Sequence, residues 1–260
     1  MSKKNSKAEQ STPVDGITRE RKWPFFIPVT VWVGISYIAA SLIVVFGLNL
    51  LKLFNISYGS MNQDVFTAVL SGVIYLLFLA LVLGVPRLAK LWSSQISYRR
   101  LLGFTRLMQW RDILFAVLGF AVYLAFAVGL VLVITSLVPG FNTDQAQELG
   151  FSKTLTPTNA ILVFLTLVVV APVAEEVIFR GYLFGTLRRT VPIWVAALIT
   201  SLVFGLIHGQ WNVGVDVFAM SLVSCFLRYK TGSLWASILL HMAKNGLAFY
   251  ALYIATSSIL

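Results

Sequence analysis

The sequence predicts an all-α, polytopic transmembrane helix bundle of about seven spans with a cytoplasmic N-terminus. Three observations predict it. The 260 residues are 58% hydrophobic and only 12% charged, against about a quarter charged in a typical soluble domain. Seven apolar stretches follow one another, most of them near the roughly 20 residues needed to cross a bilayer. The basic residues gather in alternate connections between those stretches, as the positive-inside rule requires.

Residues 1–23 are mostly polar and basic (Lys3, Lys4, Lys7, Arg19, Arg21, Lys22) and are expected to form a disordered cytoplasmic tail. The first apolar segment after it is too long for the h-region of a signal peptide, so no cleavable leader is expected. The spans are expected near 24–51, 65–86, 112–138, 159–186, 191–209, 214–229 and 233–257. Gly and Pro within them are no objection, because membrane helices tolerate both. With no internal repeat evident, residues 24–260 are expected to form one membrane domain.

The net charge of +10 would suit a nucleic-acid binder, but its distribution argues otherwise. Sixteen of the twenty Lys and Arg fall in the tail and in the connections after spans two, four and six. The other side holds Lys52 and Lys153 with Asp64, Asp144, Glu148 and Asp216, and Arg180 and Lys244 lie inside spans. This split places the N-terminus inside and the C-terminus outside and accounts for the charge without nucleic acid. Trp92, Trp110, Trp194 and Trp235 fall near the inner ends of spans, as an interfacial belt does. The single cysteine, Cys225, excludes an intramolecular disulfide framework and a cysteine-built zinc site.

Spans one to three are nearly free of ionisable residues and read as scaffold and lipid contact. The segment "YRRLLGFTRLMQW" from Tyr98 mixes base and aromatic; it reads as an orientation-setting loop or as a segment lying on the inner surface.

The polar residues inside the membrane lie in the later spans: Glu175, Glu176 and Arg180 in span four, His208 at the end of span five, and His241, Lys244 and Asn245 in span seven. Charge at that depth is costly and usually faces a wet cavity. Glu176 and Arg180, four apart, share a helix face and can neutralise each other. Phe204 lies one turn behind His208, and His241 and Asn245 share a face. Glu175 has no local partner, which makes it the better candidate for a general base. At a rise of ~1.5 Å per residue, Glu175, His241 and Asn245 fall roughly 12–18 Å from the inner boundary and His208 nearer 25 Å.

Three motifs now stand in order on successive polar-bearing spans: "EEVIFR" (Glu175–Arg180), "FGLIH" (Phe204–His208) and "HMAKN" (His241–Asn245). They resemble the EExxxR, FxxxH and HxxxN-type motifs of the CAAX-protease and bacteriocin-processing (Abi) family of intramembrane proteases. The resemblance covers residues 155–257. It implies an intramembrane endopeptidase acting on a membrane-associated or lipidated protein or peptide. On that resemblance Glu175 and His208 would hold and deprotonate the attacking water. His241 and Asn245 would donate to the oxyanion, and Glu176, Arg180 and Phe204 would support the site.

The chemistry is coherent in itself, because amide hydrolysis needs an activated water and donors aimed at the developing negative charge. Helical N–H groups are already used, so within a span the donors must be side chains. A metalloenzyme reading would make Glu175, His208 and His241 zinc ligands, but there is no HExxH, and a metal-independent mechanism is the expectation. A thiol mechanism through Cys225 lacks any neighbour to activate it. The non-enzymatic alternatives are a catalytically silent scaffold or bacteriocin-immunity protein, or a small transporter. The expected setting is a multi-pass protein of a bacterial cell membrane, with a membrane protein or peptide substrate and no nucleic acid.

Overall fold

The computed structural model describes residues 26–88, 97–143, 145, 149–152 and 154–255, with side chains from Val29 onward. The expected tail, Trp92, Asp144, Glu148 and Lys153 lie outside the described residues. Among those described, all regular structure is helical: α1 (Phe26–Leu53), α2 (Gln63–Leu88), α3 (Tyr98–Leu102), α4 (Trp110–Leu137), α5 (Pro157–Leu187), α6 (Ile193–Ile207), α7 (Trp211–Thr231) and α8 (Trp235–Ala255). All seven expected stretches are helices. Six are long and apolar enough to cross a membrane, so this is an integral membrane protein. The seventh, α6, has 15 residues and covers about 22 Å, short of the ~30 Å hydrocarbon core.

The helices divide into a centre and a sheath. About half of the spanning window is buried in α5 and α7, against about a fifth in α1, α2, α4 and α8. The outer faces of α1, α2 and α4 present Ile, Leu, Val and Phe side chains (Ile38, Phe46, Leu76, Val122), the surface a helix turns toward lipid. Their inner faces join one core with Ile178, Phe179, Phe184 and Phe204.

Each end of the bundle is tied by its own polar contacts. At the end where α1 finishes and α2 and α5 begin, the Asn62 side chain caps α2 by accepting from the N–H of Asp64. Asp64, read as a connection residue, is buried. Its carboxylate accepts from the Ser152 N–H at 2.8 Å and from Asn159 Nδ2 at 2.7 Å. Thr67 and Gln63 both donate to the Gly150 carbonyl. These bonds fasten the link between α4 and α5 onto the start of α2.

The opposite end carries the basic residues, and here the Tyr98–Arg111 segment departs from expectation. It is a packed plug and not merely a surface loop. Leu101 is buried because α3 sits directly on two glycines of α5. A Cβ on Gly185 would come within 2.8 Å of the Leu101 carbonyl oxygen, and one on Gly181 within 3.2 Å of that of Leu102. Gly103 then turns the chain with φ +84, leaving space that the Arg228 guanidinium fills. Arg228, expected as a positive charge on the inner surface, is fully buried and donates from Nη2 to the carbonyls of Arg100 and Leu101. Those carbonyls close the C-terminus of α3, where a cation is favoured. Arg106 forms a bidentate pair with Asp112 at 2.6 and 2.7 Å, and that hydrogen bonding raises the guanidinium pKa above its usual value. Trp110 and Trp194 stand exposed at the starts of their helices, while Trp235 Nε1 donates to the Arg106 carbonyl.

A methyl at Gly185 must displace backbone, because its nearest atom is a carbonyl oxygen. Gly185→Ala is expected to destabilise the fold by about 1–3 kcal/mol, read as a lowered thermal midpoint in detergent. Gly129→Ala, where a Cβ meets nothing within 4 Å, is expected to leave the midpoint unchanged.

Candidate active site

Glu175, His208, His241 and Asn245 all line one cavity of about 340 Å³ in the middle of the bundle, together with Phe204 and Lys244. Three helices supply them: α5, the end of α6, and α8. The expected depth gap between Glu175 and His208 shrinks because α6 begins at Ile193 and α5 ends at Leu187. Counted from those ends, the two differ by about 4–5 Å, less than one turn.

The position of His208 follows from glycine. α6 and α7 cross closely at Gly205 and Gly214, where a Cβ on Gly205 would lie 2.9 Å from the Gly214 carbonyl oxygen. Gly209, at φ +69, reverses the chain between the two helices. His208 caps α6 immediately before that reversal. Its Nδ1 lies 2.7 Å from the Phe204 carbonyl oxygen. A carbonyl only accepts, so Nδ1 carries the hydrogen and, in the neutral ring, Nε2 is left with its lone pair. The Phe204 ring stands edge-on to both imidazoles, with centroids 4.9 Å from His208 and 5.9 Å from His241.

Glu176 and Arg180 pair at 2.9 Å, both fully buried. The pair is not closed on itself, because the same Glu176 oxygen lies 3.0 Å from Nδ1 of His241. Arg180 also rests 4.4 Å above the Phe204 ring, a cation–π contact that strengthens where water is excluded. His241 is therefore held between the two acids, with Nδ1 on Glu176 and Nε2 3.6 Å from Glu175 Oε2. Asn245 donates from Nδ2 to the Leu167 carbonyl at 2.8 Å. Leu167 belongs to a π-helical turn, Leu165–Val170; such turns interrupt α-helical hydrogen bonding and are frequent at functional sites.

Three participants are absent from the sequence reading. Tyr75 of α2 donates its hydroxyl to Glu175 Oε1 at 2.5 Å, so Glu175 does have a partner, supplied by a distant span. The reading of spans one to three as scaffold and lipid contact is thus incomplete. Asp216, assigned to a connection, lies within α7 and forms an ion pair with Lys244 at 3.2 Å. Tyr123 of α4 donates to the other Asp216 oxygen. This pairing balances the Lys244 charge within the bundle. The available signal was the tyrosines themselves: a mid-span hydroxyl needs a polar partner once buried.

Among the described residues, no group of three His, Cys, Asp or Glu side chains has a geometry that could hold a metal ion. Cys225 is buried and does not line the cavity.

The Glu176–Arg180 pair makes a measurable prediction. Arg180→Met leaves Glu176 buried without its cation and is expected to cost about 3–5 kcal/mol. The double variant Arg180→Met/Glu176→Leu is expected to recover a large part of that loss. Thermal unfolding of the three purified proteins in detergent checks both.

The profile of a family described as type II CAAX prenyl endopeptidase Rce1-like matches residues 157–247. An uncharacterized 24.3 kDa protein of Escherichia coli is 35% identical over 94 residues, covering 34% of this chain and 43% of that protein. The putative membrane peptidase YdiL of Bacillus subtilis is 28% identical over 134 residues (52% of this chain, 54% of that protein). The membrane-embedded CAAX protease MroQ of Staphylococcus aureus is 28% identical over 138 residues (50% and 54%). The chain thus spans about half the length of these relatives. No solved structure matches it. The matched region carries Glu175, Glu176, Arg180, Phe204, His208, His241 and Asn245, and over it the chain is similar to this family of membrane CAAX-type proteases.

Proposed function

We propose that the protein is an intramembrane endopeptidase of a bacterial cell membrane, hydrolysing a peptide bond in a membrane-associated or lipidated protein or peptide without a metal. The observation that carries this reading is the convergence of Glu175, His208, His241 and Asn245 on one central cavity from three helices.

The steps follow from the bonds each residue already makes. A water between Glu175 and the bare Nε2 of His208 gives up a proton to this pair as its oxygen attacks the scissile carbonyl carbon. The Tyr75 hydroxyl donates to Glu175 Oε1, which fixes the carboxylate toward the cavity. The carbonyl π electrons move onto oxygen. The second Asn245 Nδ2 hydrogen, the first being engaged by Leu167, is a donor available to that oxyanion. His241 is another when both its ring nitrogens carry hydrogens, Nδ1 on Glu176 and Nε2 toward the cavity. As the C=O bond re-forms and the C–N bond breaks, the proton taken from water passes to the leaving nitrogen, giving a carboxylic acid and an amine. Glu176 and Arg180 act at one remove by orienting His241.

The test is cleavage of a peptide substrate by the purified protein. Glu175→Gln is expected to lower kcat by about 10²–10⁴ and Asn245→Ala by about 10²–10³. Tyr75→Phe is expected to lower it by roughly tenfold or more, the worth of a hydrogen bond to a charged group. Activity is expected to survive exhaustive chelation, and Cys225→Ser is expected to cleave as wild type does. Loss on chelation that zinc restores would replace the water-activating pair with a metal. If wild-type protein cleaves nothing while an in-cell phenotype survives Glu175→Gln, the chain is a silent scaffold.

A further inference from the structure

The cavity is not symmetrical along the bundle. On the side of the basic end it is floored by Phe78, Phe179 and Phe204, which are 2%, 1% and 0% exposed and stack edge to face on one another. Below that floor the Gly181–Gly185 face of α5 is covered by α3. In the other direction the lining runs past Asn245 and Lys244 to Ala248 and Leu252 on α8 and to Leu149 in the α4–α5 link. Leu252 is 45% exposed. Glu175 and His241 are therefore reached from the end opposite the basic residues.

That end is identified by charge. Arg87, Arg99, Arg100, Arg106, Arg111, Arg188, Arg189, Arg228 and Lys230 all belong to the far end of the bundle, whereas Lys52 is the described basic residue at the cavity's end. By the positive-inside rule the floor faces the cytoplasm and the mouth faces out.

We infer that the cavity admits its substrate from the extracytoplasmic side. The substrate class is then a peptide or protein segment already translocated, with an apolar stretch keeping it at the outer surface, and not a lipidated tail presented from the cytoplasm. The inference rests on the endopeptidase reading for what happens to the segment, but the side of access is independent of it.

Single cysteines test the side directly. Ala248→Cys and Leu149→Cys at the mouth, Lys52→Cys at the same end and Lys230→Cys at the basic end are each made with Cys225→Ser. A membrane-impermeant maleimide is applied to intact cells, to inverted membrane vesicles and to detergent-solubilised protein. Ala248→Cys, Leu149→Cys and Lys52→Cys are expected to label in intact cells and to lose that labelling in inverted vesicles, with Lys230→Cys showing the reverse. Labelling of the mouth positions from inverted vesicles alone overturns the inference. If Lys52→Cys labels outside but both mouth positions label only after solubilisation, the mouth does not open to that surface, and the inference fails as well. Cleavage by the purified variants is measured separately, so an inactive protein would overturn the peptidase reading and leave the labelling result standing.

Discussion

Two carboxylates and a guanidinium in the middle of a bilayer need partners, and the rest of the site is arranged around how they find them. Glu176 is the hinge of that arrangement. One of its oxygens faces Arg180 within its own helix and Nδ1 of His241 on another. Ionised, it offsets the Arg180 charge, whose remaining face lies on the Phe204 ring. A pair so deeply desolvated is worth little to stability for its own sake. Its consequence is positional. With Nδ1 committed to Glu176, the His241 ring has one orientation, and that orientation aims Nε2 toward Glu175 and the cavity.

The same economy governs the backbone. Among the described residues three of the helices, α2, α5 and α8, contain π turns, and α5 has two, one on either side of the Glu175–Glu176 pair. A wide turn interrupts the i to i−4 ladder, and side chains take up polar groups nearby: Asn245 bonds the Leu167 carbonyl from α8. Close helix approach is handled by glycine. Gly205 against Gly214 sets the α6–α7 crossing that holds His208 near the cavity, and Gly181 and Gly185 let α3 close the basic end beneath the aromatic floor. The short α6 belongs to this logic, since a helix that ends early can present its capping residue to an interior cavity.

Much was legible in the residues. Apolar length and charge deficit were enough for a helical membrane protein, because the bilayer imposes both. The i,i+4 relation of Glu176 and Arg180 was readable because it is local. The intramembrane inventory of Glu175, His208, His241 and Asn245 was readable because polar residues are rare in spans, and all four line the cavity. Tyr75 and Asp216 were passed over for the opposite reason. A tyrosine in an apolar span has a routine structural explanation, and an acid near a helix start resembles a connection residue. The Tyr98–Arg111 segment was misjudged because its composition suits a membrane surface as well as a buried plug.

What the sequence by itself determined is the set of elements and the cost of their charges: helix lengths, the alternation of basic connections and the identity of the residues that water or a partner must satisfy. These depend on local spacing and on the solvent, both of which can be read along one dimension. What only the tertiary structure decided is the partnership. That Tyr75 holds Glu175 from 100 residues away, that His241 divides its two nitrogens between two acids, and that Lys244 belongs to Asp216 depend on which helix faces meet. Glycine contacts and side-chain packing settle those faces across the bundle, and no periodicity within a single span encodes them.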